Sequence, residues 1–340
     1  MVAKAPACAG GGAVVNARRV LITGAAGYLG RQLIHSLALG DGPAGGPERI
    51  VASDIREEED GRRMPGVEYV ALDVRDPGLA RVLGEASIDT VVHLAAIVTP
   101  GPKSNRQLEY SVDVLGTRNV LEACVSSGVR RIIVTSSGAA YGYHADNPPW
   151  LTEDDPVRGN PEFAYSDHKR RVEEMLAEFR RTHPELEQVV FRVGTILGET
   201  TRNQITALFH RPRLIAIRGS ASPFVFVWDR DVVGAIEHAL AGGRPGTYNV
   251  AGDGALSIQQ IAARLGKPCL TLPAGLIGLA LAILHPLGLS QYGPEQVNFL
   301  RYRPVLDNRR LKEEFGYRPR LTSAEVLDLY CRTHHLGGHP

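Results

Sequence analysis

Residues 19–30 read Arg-Val-Leu-Ile-Thr-Gly-Ala-Ala-Gly-Tyr-Leu-Gly. The run 19–23 is β-rich and apolar. It breaks into glycines at Gly24, Gly27 and Gly30, which open a segment of helical spacing over 28–39. Strand, tight turn and helix in that order form a phosphate cradle. Bare backbone approaches a pyrophosphate, the helix N-terminus supplies positive potential, and the third glycine lets helix and strand pack closely. The spacing is GxxGxxG rather than GxGxxG, and its context of strand, turn and helix is the one such a motif requires.

Working outward, strand-like runs at 49–54, 68–72, 89–94, 131–135 and 188–193 alternate with helical periods at 77–83, 107–127 and 165–181. This alternation predicts βαβ units, and near-continuous Val, Ile and Leu in the strands predicts burial on both faces. The expected fold is α/β, a Rossmann doubly wound parallel sheet. After Gly198 the alternation becomes irregular, with short strands at 214–217, 223–228 and 247–250 and helices at 231–241, 258–265, 308–315 and 324–330. The expected layout is a tail at 1–17, a nucleotide-binding domain at 18–195, a smaller α/β substrate lobe at 196–333 with segments returning to the first domain, and a tail at 334–340. Residues 41–48 read as a turn-rich loop.

The composition narrows the partners. Lys plus Arg total 38 against 37 Asp plus Glu, and aromatics are only 6%, so neither a basic footprint nor a base-stacking platform for nucleic acid is indicated. Cys8, Cys124, Cys269 and Cys331 are scattered and form no CxxC pair, which reads as reduced and cytoplasmic. Residues 1–18 lack the apolar core of a signal peptide. No charged residue stands between Lys267 and Glu295, and 274–284 (AGLIGLALAIL) is wholly apolar between Pro273 and Pro286. A helix that short covers roughly 16 Å, half of a bilayer core, so no transmembrane segment is expected. It reads first as a buried or substrate-lining helix, with peripheral membrane contact as the other reading. No zinc, calcium or P-loop pattern occurs, and His334, His335 and His339 form a tail cluster without fixed geometry, so no metal is expected.

Three further sites carry chemistry. Asp54 ends the second strand-like run, where a carboxylate accepts from both ribose hydroxyls and repels a 2′-phosphate, favouring NAD over NADP. The bland alternative is a turn cap. Asp73 ends the third run; it is placed to receive an adenine amino group, with Val74 lending its backbone, or it is a simple turn aspartate. Tyr165 and Lys169 stand one helical turn apart, on one face. An ammonium near a phenol favours the phenolate, which suits a tyrosine for general acid/base work. Thr135-Ser136-Ser137 ends a strand, and strand C-termini line the ligand crevice of a doubly wound sheet, so Ser137 can hydrogen-bond a reacting oxygen beside Tyr165. His93 reads as a core histidine, and Arg170 and Arg171 as a solvated helix face.

Together the glycine turn, Asp54, Asp73, HisLeuAlaAla (93–96), SerSerGlyAlaAlaTyrGly (136–142) and TyrSerAspHisLys (165–169) resemble the extended short-chain dehydrogenase/reductases, the NAD-dependent epimerase/dehydratase family typified by UDP-glucose 4-epimerase. The resemblance runs from about residue 18 to 333. It implies NAD as cofactor, hydride transfer at a secondary alcohol or ketone of a small-molecule substrate, and catalysis by Ser137, Tyr165 and Lys169. It implies cofactor contacts at Gly24, Gly27, Gly30, Tyr28, Leu29, Asp54, Ile55, Asp73, Val74, Leu94, Ala95, Thr135, Tyr165, Lys169 and Val193. A homodimer through the 107–127 and Tyr165 helices is expected by analogy.

The departures bear on the substrate, whose contacts are expected at Ser137, Ala139, Thr195 and Phe224. Gly138 and Ala139 stand where hexose 4,6-dehydratases carry Asp and Glu, so water elimination lacks its acid/base pair, and nucleotide-sugar decarboxylases are disfavoured for the same reason. Phe224 replaces an arginine that grips a diphosphate, which removes a bidentate donor and adds apolar area. Arg301 and Arg303 are near the second diphosphate arginine but out of register. Thr195 and Asp113 replace asparagines. The first reading is an NAD-dependent oxidoreductase or epimerase of a sugar or nucleotide sugar. The alternatives are a dehydrogenase of an apolar secondary alcohol, of sterol or terpenoid type, and a non-catalytic NAD-binding regulator.

Overall fold

The structure, a computed structural model, describes residues 17–40, 46–98, 105–221, 223–284, 286–287, 293 and 296–337. The expected N-terminal tail up to residue 16, Cys8, the 41–45 part of the loop, His339 and the 338–340 end of the C-terminal tail lie outside these residues.

Among the described residues the strands are β1 Arg19–Thr23, β2 Arg49–Asp54, β3 Val67–Ala71, β4 Thr90–His93, β5 Arg131–Ser137, β6 Glu187–Val193, β7 Thr195–Leu197, β8 Leu214–Ile217, β9 Phe226–Trp228, β10 Gly246–Val250 and β11 Cys269–Leu272. The α-helices are α1 Tyr28–Leu39, α2 Leu79–Glu85, α3 Arg106–Tyr110, α4 Gly116–Ser126, α5 Ala164–Thr182, α6 Gln204–Phe209, α7 Asp229–Leu240, α8 Ile258–Arg264, α9 Ala274–Leu284, α10 Gln296–Arg301 and α11 Ser323–Thr333. Seven strands form one parallel sheet in the order β10-β6-β5-β4-β1-β2-β3. Strand order reverses between β1 and β4, and the crevice outside their carboxyl ends is where a doubly wound sheet takes its ligand.

Alternation along β1 shows why helices cover both faces. Val20 and Ile22 pack into one core with Leu33 of α1 and Val232 and Ile236 of α7. Leu21 points the other way, into a core with Leu83 of α2, Leu121 of α4 and Leu176 of α5. β10 and α7 come from the second half of the chain yet join the large sheet and its core. The remaining strands make two parallel ribbons, β7–β9 and β8–β11, over a third core that includes Phe209, Phe226, Ile261 and Tyr330.

The structure differs from the sequence reading in several places. The helix expected over 107–127 is interrupted by a π-helical turn at Ser111–Leu115. There Asp113 turns its Oδ1 to the Ile97 N–H at 2.8 Å, and its carbonyl accepts from Thr117 Oγ1 at 2.6 Å, so local polar groups compete with the helical ladder. Strands β7 and β11 and helices α6 and α10, each six residues or shorter, are not among the expected elements. Arg170 and Arg171 are not a merely solvated face; both clamp the buried Asp167, at 2.8 and 3.1 Å. The apolar 274–284 segment is helical, but none of its residues is buried, against the expectation of a buried helix.

Candidate active site

The glycine turn is built by exclusion of side chains. Gly24 has φ +69°, and a Cβ there would lie 2.7 Å from the Ala95 nitrogen. A Cβ on Gly27 would lie 2.9 Å from the Gly24 carbonyl oxygen, and one on Gly30 would collide with the same oxygen. No side chain caps α1, and its first turn holds no acid. A bare cradle at an uncapped helix N-terminus fits a dinucleotide pyrophosphate. Tyr28 braces the cradle from above, donating to Asp229 Oδ2 at 2.5 Å and accepting from Thr201 Oγ1 at 2.8 Å. Burial, then Asp229, pushes its phenol above the ordinary range.

Asp54 sits beside the turn. Its Oδ2 accepts from the Ala26 N–H at 3.0 Å and its Oδ1 from the Arg56 N–H at 3.0 Å. Beneath the crevice lies a buried relay. Thr117 Oγ1 donates to the Asp113 carbonyl, so it accepts from His93 Nε2 at 3.0 Å, and His93 Nδ1 accepts from Thr23 Oγ1 at 2.8 Å. Burial and the Lys169 ammonium, opposed by Asp113, push His93 down to about 3, so the ring is neutral. It is a core histidine, at the floor of the crevice.

The carboxyl end of β5 carries Ser137, whose Oγ accepts from the Ala139 N–H at 3.2 Å and starts a 3₁₀ turn at Gly138–Tyr141. That turn is pinned from behind. Ser136 donates to Glu173 at 2.6 Å, Glu173 holds Arg192 in a bidentate pair, and Arg192 donates to Tyr141 at 2.8 Å. On α5, Lys169 Nζ donates to the Thr135 carbonyl at 3.1 Å and stands 5.8 Å from the centre of the Tyr165 ring.

These groups share one cavity of about 510 Å³. Of the predicted residues, Gly24, Gly27, Tyr28, Leu29, Gly30, Leu94, Thr135, Ser137, Ala139, Tyr165, Lys169, Val193, Thr195 and Phe224 all line it. Asp54 lines an adjoining small cleft instead. Ala95 packs beneath Gly24, Val74 is buried against Gly116, and Ile55 is exposed. Asp73 is engaged by Arg75, whose guanidinium meets both of its oxygens.

The far wall holds residues the sequence reading passed over. Arg303 lies 4.0 Å from the Phe224 ring centre and 4.5 Å from that of Phe299. Its Nε and Nη2 are shut off from solvent and meet no hydrogen-bond acceptor among the described residues. Burial, opposed by the Tyr143 phenol, pushes its guanidinium down to about 10. Tyr143, Phe163 and Phe299 form an aromatic cluster that continues to Tyr165. Arg303 carries a sequence signal only as an arginine out of register with a diphosphate motif, and Tyr143, Phe163 and Phe299 carry none.

Residues 20–251 match the description NAD dependent epimerase/dehydratase family. The chain belongs to this family. The family is NAD-dependent, and NAD is the cofactor for which the glycine cradle fits. An uncharacterized protein of Mycobacterium tuberculosis is 28% identical over 92% of this chain and 83% of its own length. The 3beta-hydroxysteroid-dehydrogenase/decarboxylase isoform 2 of Arabidopsis thaliana is 28% identical over 77% of this chain but only 51% of its own length. Among solved structures, DesIV, a dTDP-glucose 4,6-dehydratase from Streptomyces venezuelae with NAD and TYD bound, superposes with a TM-score of 0.71 at 22% identity, covering 93% of this chain and 97% of its own.

Proposed function

We propose that this family member transfers hydride between NAD and a secondary alcohol or ketone, with Ser137, Tyr165 and Lys169 as catalytic residues. The observation that carries the reading is their convergence in the same cavity as the glycine cradle. Bound NAD supplies the two-electron acceptor for the carbinol carbon. Tyr165 takes the proton from the substrate hydroxyl and returns it in the reverse direction. Ser137 Oγ accepts from the Ala139 N–H, which leaves its own proton free to donate to the reacting oxygen. Lys169, anchored on the Thr135 carbonyl, places its ammonium near the Tyr165 ring and favours the phenolate. Gly24, Gly27 and Gly30 would hold the pyrophosphate, and Asp54 would accept from the adenosine ribose.

The substrate we favour has an apolar body. Phe163, Phe224, Phe299, Pro304 and Leu306 line its side of the cavity, and the Arabidopsis relative is named for a hydroxysteroid activity. A nucleotide sugar is the second reading. It is supported by Arg303, which lays a guanidinium on Phe224 where the diphosphate arginine is lost from the sequence.

The test is NADH formation with a 3β-hydroxysteroid and, with UDP-glucose, either NADH formation or conversion to UDP-galactose, because an epimerase returns the hydride and leaves no net NADH. Oxidation of either should fall about a hundredfold or more in Tyr165→Phe. Turnover of the Tyr165→Phe protein at the wild-type rate refutes the catalytic assignment, and the preferred probe decides between the two substrate classes.

A further inference from the structure

α9 presents a physical contradiction. A helix that is apolar on every side belongs in a core or in lipid. Yet no residue of α9 is buried, and Leu276 and Leu279 are 56% and 59% exposed. Eleven residues reach roughly 16 Å, about half of a bilayer core, and among the described residues no helix is long and apolar enough to cross one.

The apolar surface continues past the helix. In the β8–β11 ribbon Ile215 pairs with Leu270, and both are exposed, while α8 covers the other side of the ribbon. Ile283, Leu284 and Leu287 extend the patch at the far end of α9. So many exposed apolar side chains along one stretch of chain mark an interaction site.

The chain segment that carries β8 bears one sign of charge. Residues 200–228 hold four arginines and no acid, in a chain whose net charge is only +1. Arg211, Arg213 and Arg218 are exposed, and none of their guanidiniums meets a carboxylate among the described residues. Arg213 is exposed immediately before β8, on which Ile215 is exposed, and the Arg218 N–H donates to the Leu272 carbonyl, next to the start of α9. A protein groove would cover one side of α9. One side of α9 faces α10, a fluid apolar medium covers the remaining sides without a matching groove, and the bare arginines complement anionic headgroups at its surface.

We propose that α9 and the β8–β11 ribbon dock the protein on the surface of an anionic phospholipid bilayer, with α9 immersed in the outer acyl layer and Arg211, Arg213 and Arg218 on the headgroups. α9 rests on α10, where a Cβ on Gly278 would come 3.9 Å from Val297, and α10 carries Phe299 of the cavity wall. Docking therefore sets the substrate side of the cavity close to the lipid. The inference stands on the surface alone and does not depend on the reaction proposed above.

The experiment is co-sedimentation of the full chain with vesicles of phosphatidylcholine alone and of phosphatidylcholine containing phosphatidylglycerol. Wild type should pellet with the anionic vesicles. Leu279→Glu should lower the partition coefficient about tenfold. A triple variant, Arg211→Gln with Arg213→Gln and Arg218→Gln, should lower it about a hundredfold, on the order of fivefold per charge, and high salt should mimic that loss. The substituted residues are exposed, so NAD titration of each variant serves as the control for folding. The proposal is overturned if wild type stays in the supernatant with anionic vesicles, or if folded Leu279→Glu pellets as wild type does. It is also overturned if Leu279→Glu dissociates a dimer while neither protein binds vesicles, because the face then joins two copies.

Discussion

The two walls of the cavity are built on opposite principles. On the cofactor side, Gly24–Gly30 is a backbone surface, made by one continuous stretch and closed so tightly that a single Cβ would strike a neighbouring strand end. On the substrate side, Phe224, Phe299 and Arg303 are large side chains from separate segments. There two guanidinium nitrogens sit buried without acceptors. The first wall is finished before any ligand arrives, whereas the second retains an unsatisfied charge. A buried unpaired donor is destabilising, so the protein tolerates a stability penalty at the wall where we propose that substrate binds. By contrast, Arg192, equally enclosed behind the catalytic turn, is fully met by Glu173 and Tyr141.

The comparison can be broken most forcefully at Gly24. Gly24→Val adds a branched side chain at φ +69° and against the Ala95 nitrogen. It should abolish NAD binding by titration and lower stability by about 3 kcal/mol or more. Binding at wild-type affinity would show that the dinucleotide does not lie in this cradle.

A smaller effect, with a sign that separates the walls, is expected from a pH series. His93 is held neutral well below its ordinary 6.5. Unfolding lets it take up a proton below about pH 6.5, so its contribution is full above that pH and is lost as pH falls toward 3. Urea unfolding should show wild type losing about 2 kcal/mol between roughly pH 6.5 and pH 5 that His93→Asn does not lose. Parallel pH slopes for the two proteins would mean that His93 carries a proton in the folded state.

The smallest effect is at the substrate wall. Arg303→Met keeps apolar volume against Phe224 and Phe299 and removes the unmet donors. The gain from deleting a buried unsatisfied charge outweighs the lost cation–π contact by about 1 kcal/mol. The melting temperature should therefore rise by about 2 °C, while any anionic substrate binds more weakly. A lower melting temperature would show that Arg303 is a structural residue rather than one kept for a ligand.

Legibility followed the range of the interactions. The glycine turn, the Tyr165–Lys169 spacing and the strand end at Ser137 are local in sequence, and each falls in the element expected of it. Arg303 was set aside because it stood out of register with a motif. It reaches Phe224 only because two distant segments fold against each other, and linear spacing contains no trace of that approach. The π-helical turn at Ser111–Leu115 was missed for a related reason, since Asp113 finds its partner at Ile97. For α9 the composition predicts an apolar helix and leaves a buried wall and a membrane-surface contact both open, because composition does not say what packs against it.

By itself, then, the amino-acid sequence determined the parallel α/β architecture, the glycine turn that opens α1 and the helical spacing of Tyr165 and Lys169, and it named Ser137, Tyr165 and Lys169 as the set we propose for catalysis. These depend on backbone periodicity, glycine sterics and one helical turn, all of which act within a few residues. Only the tertiary structure decided what surrounds them: the Arg303 guanidinium on the aromatic wall, the Thr23–His93–Thr117 relay under the crevice, and the open face of α9. Burial and charge pairing are properties of what packs nearby, and the chain brings those neighbours from far along its length.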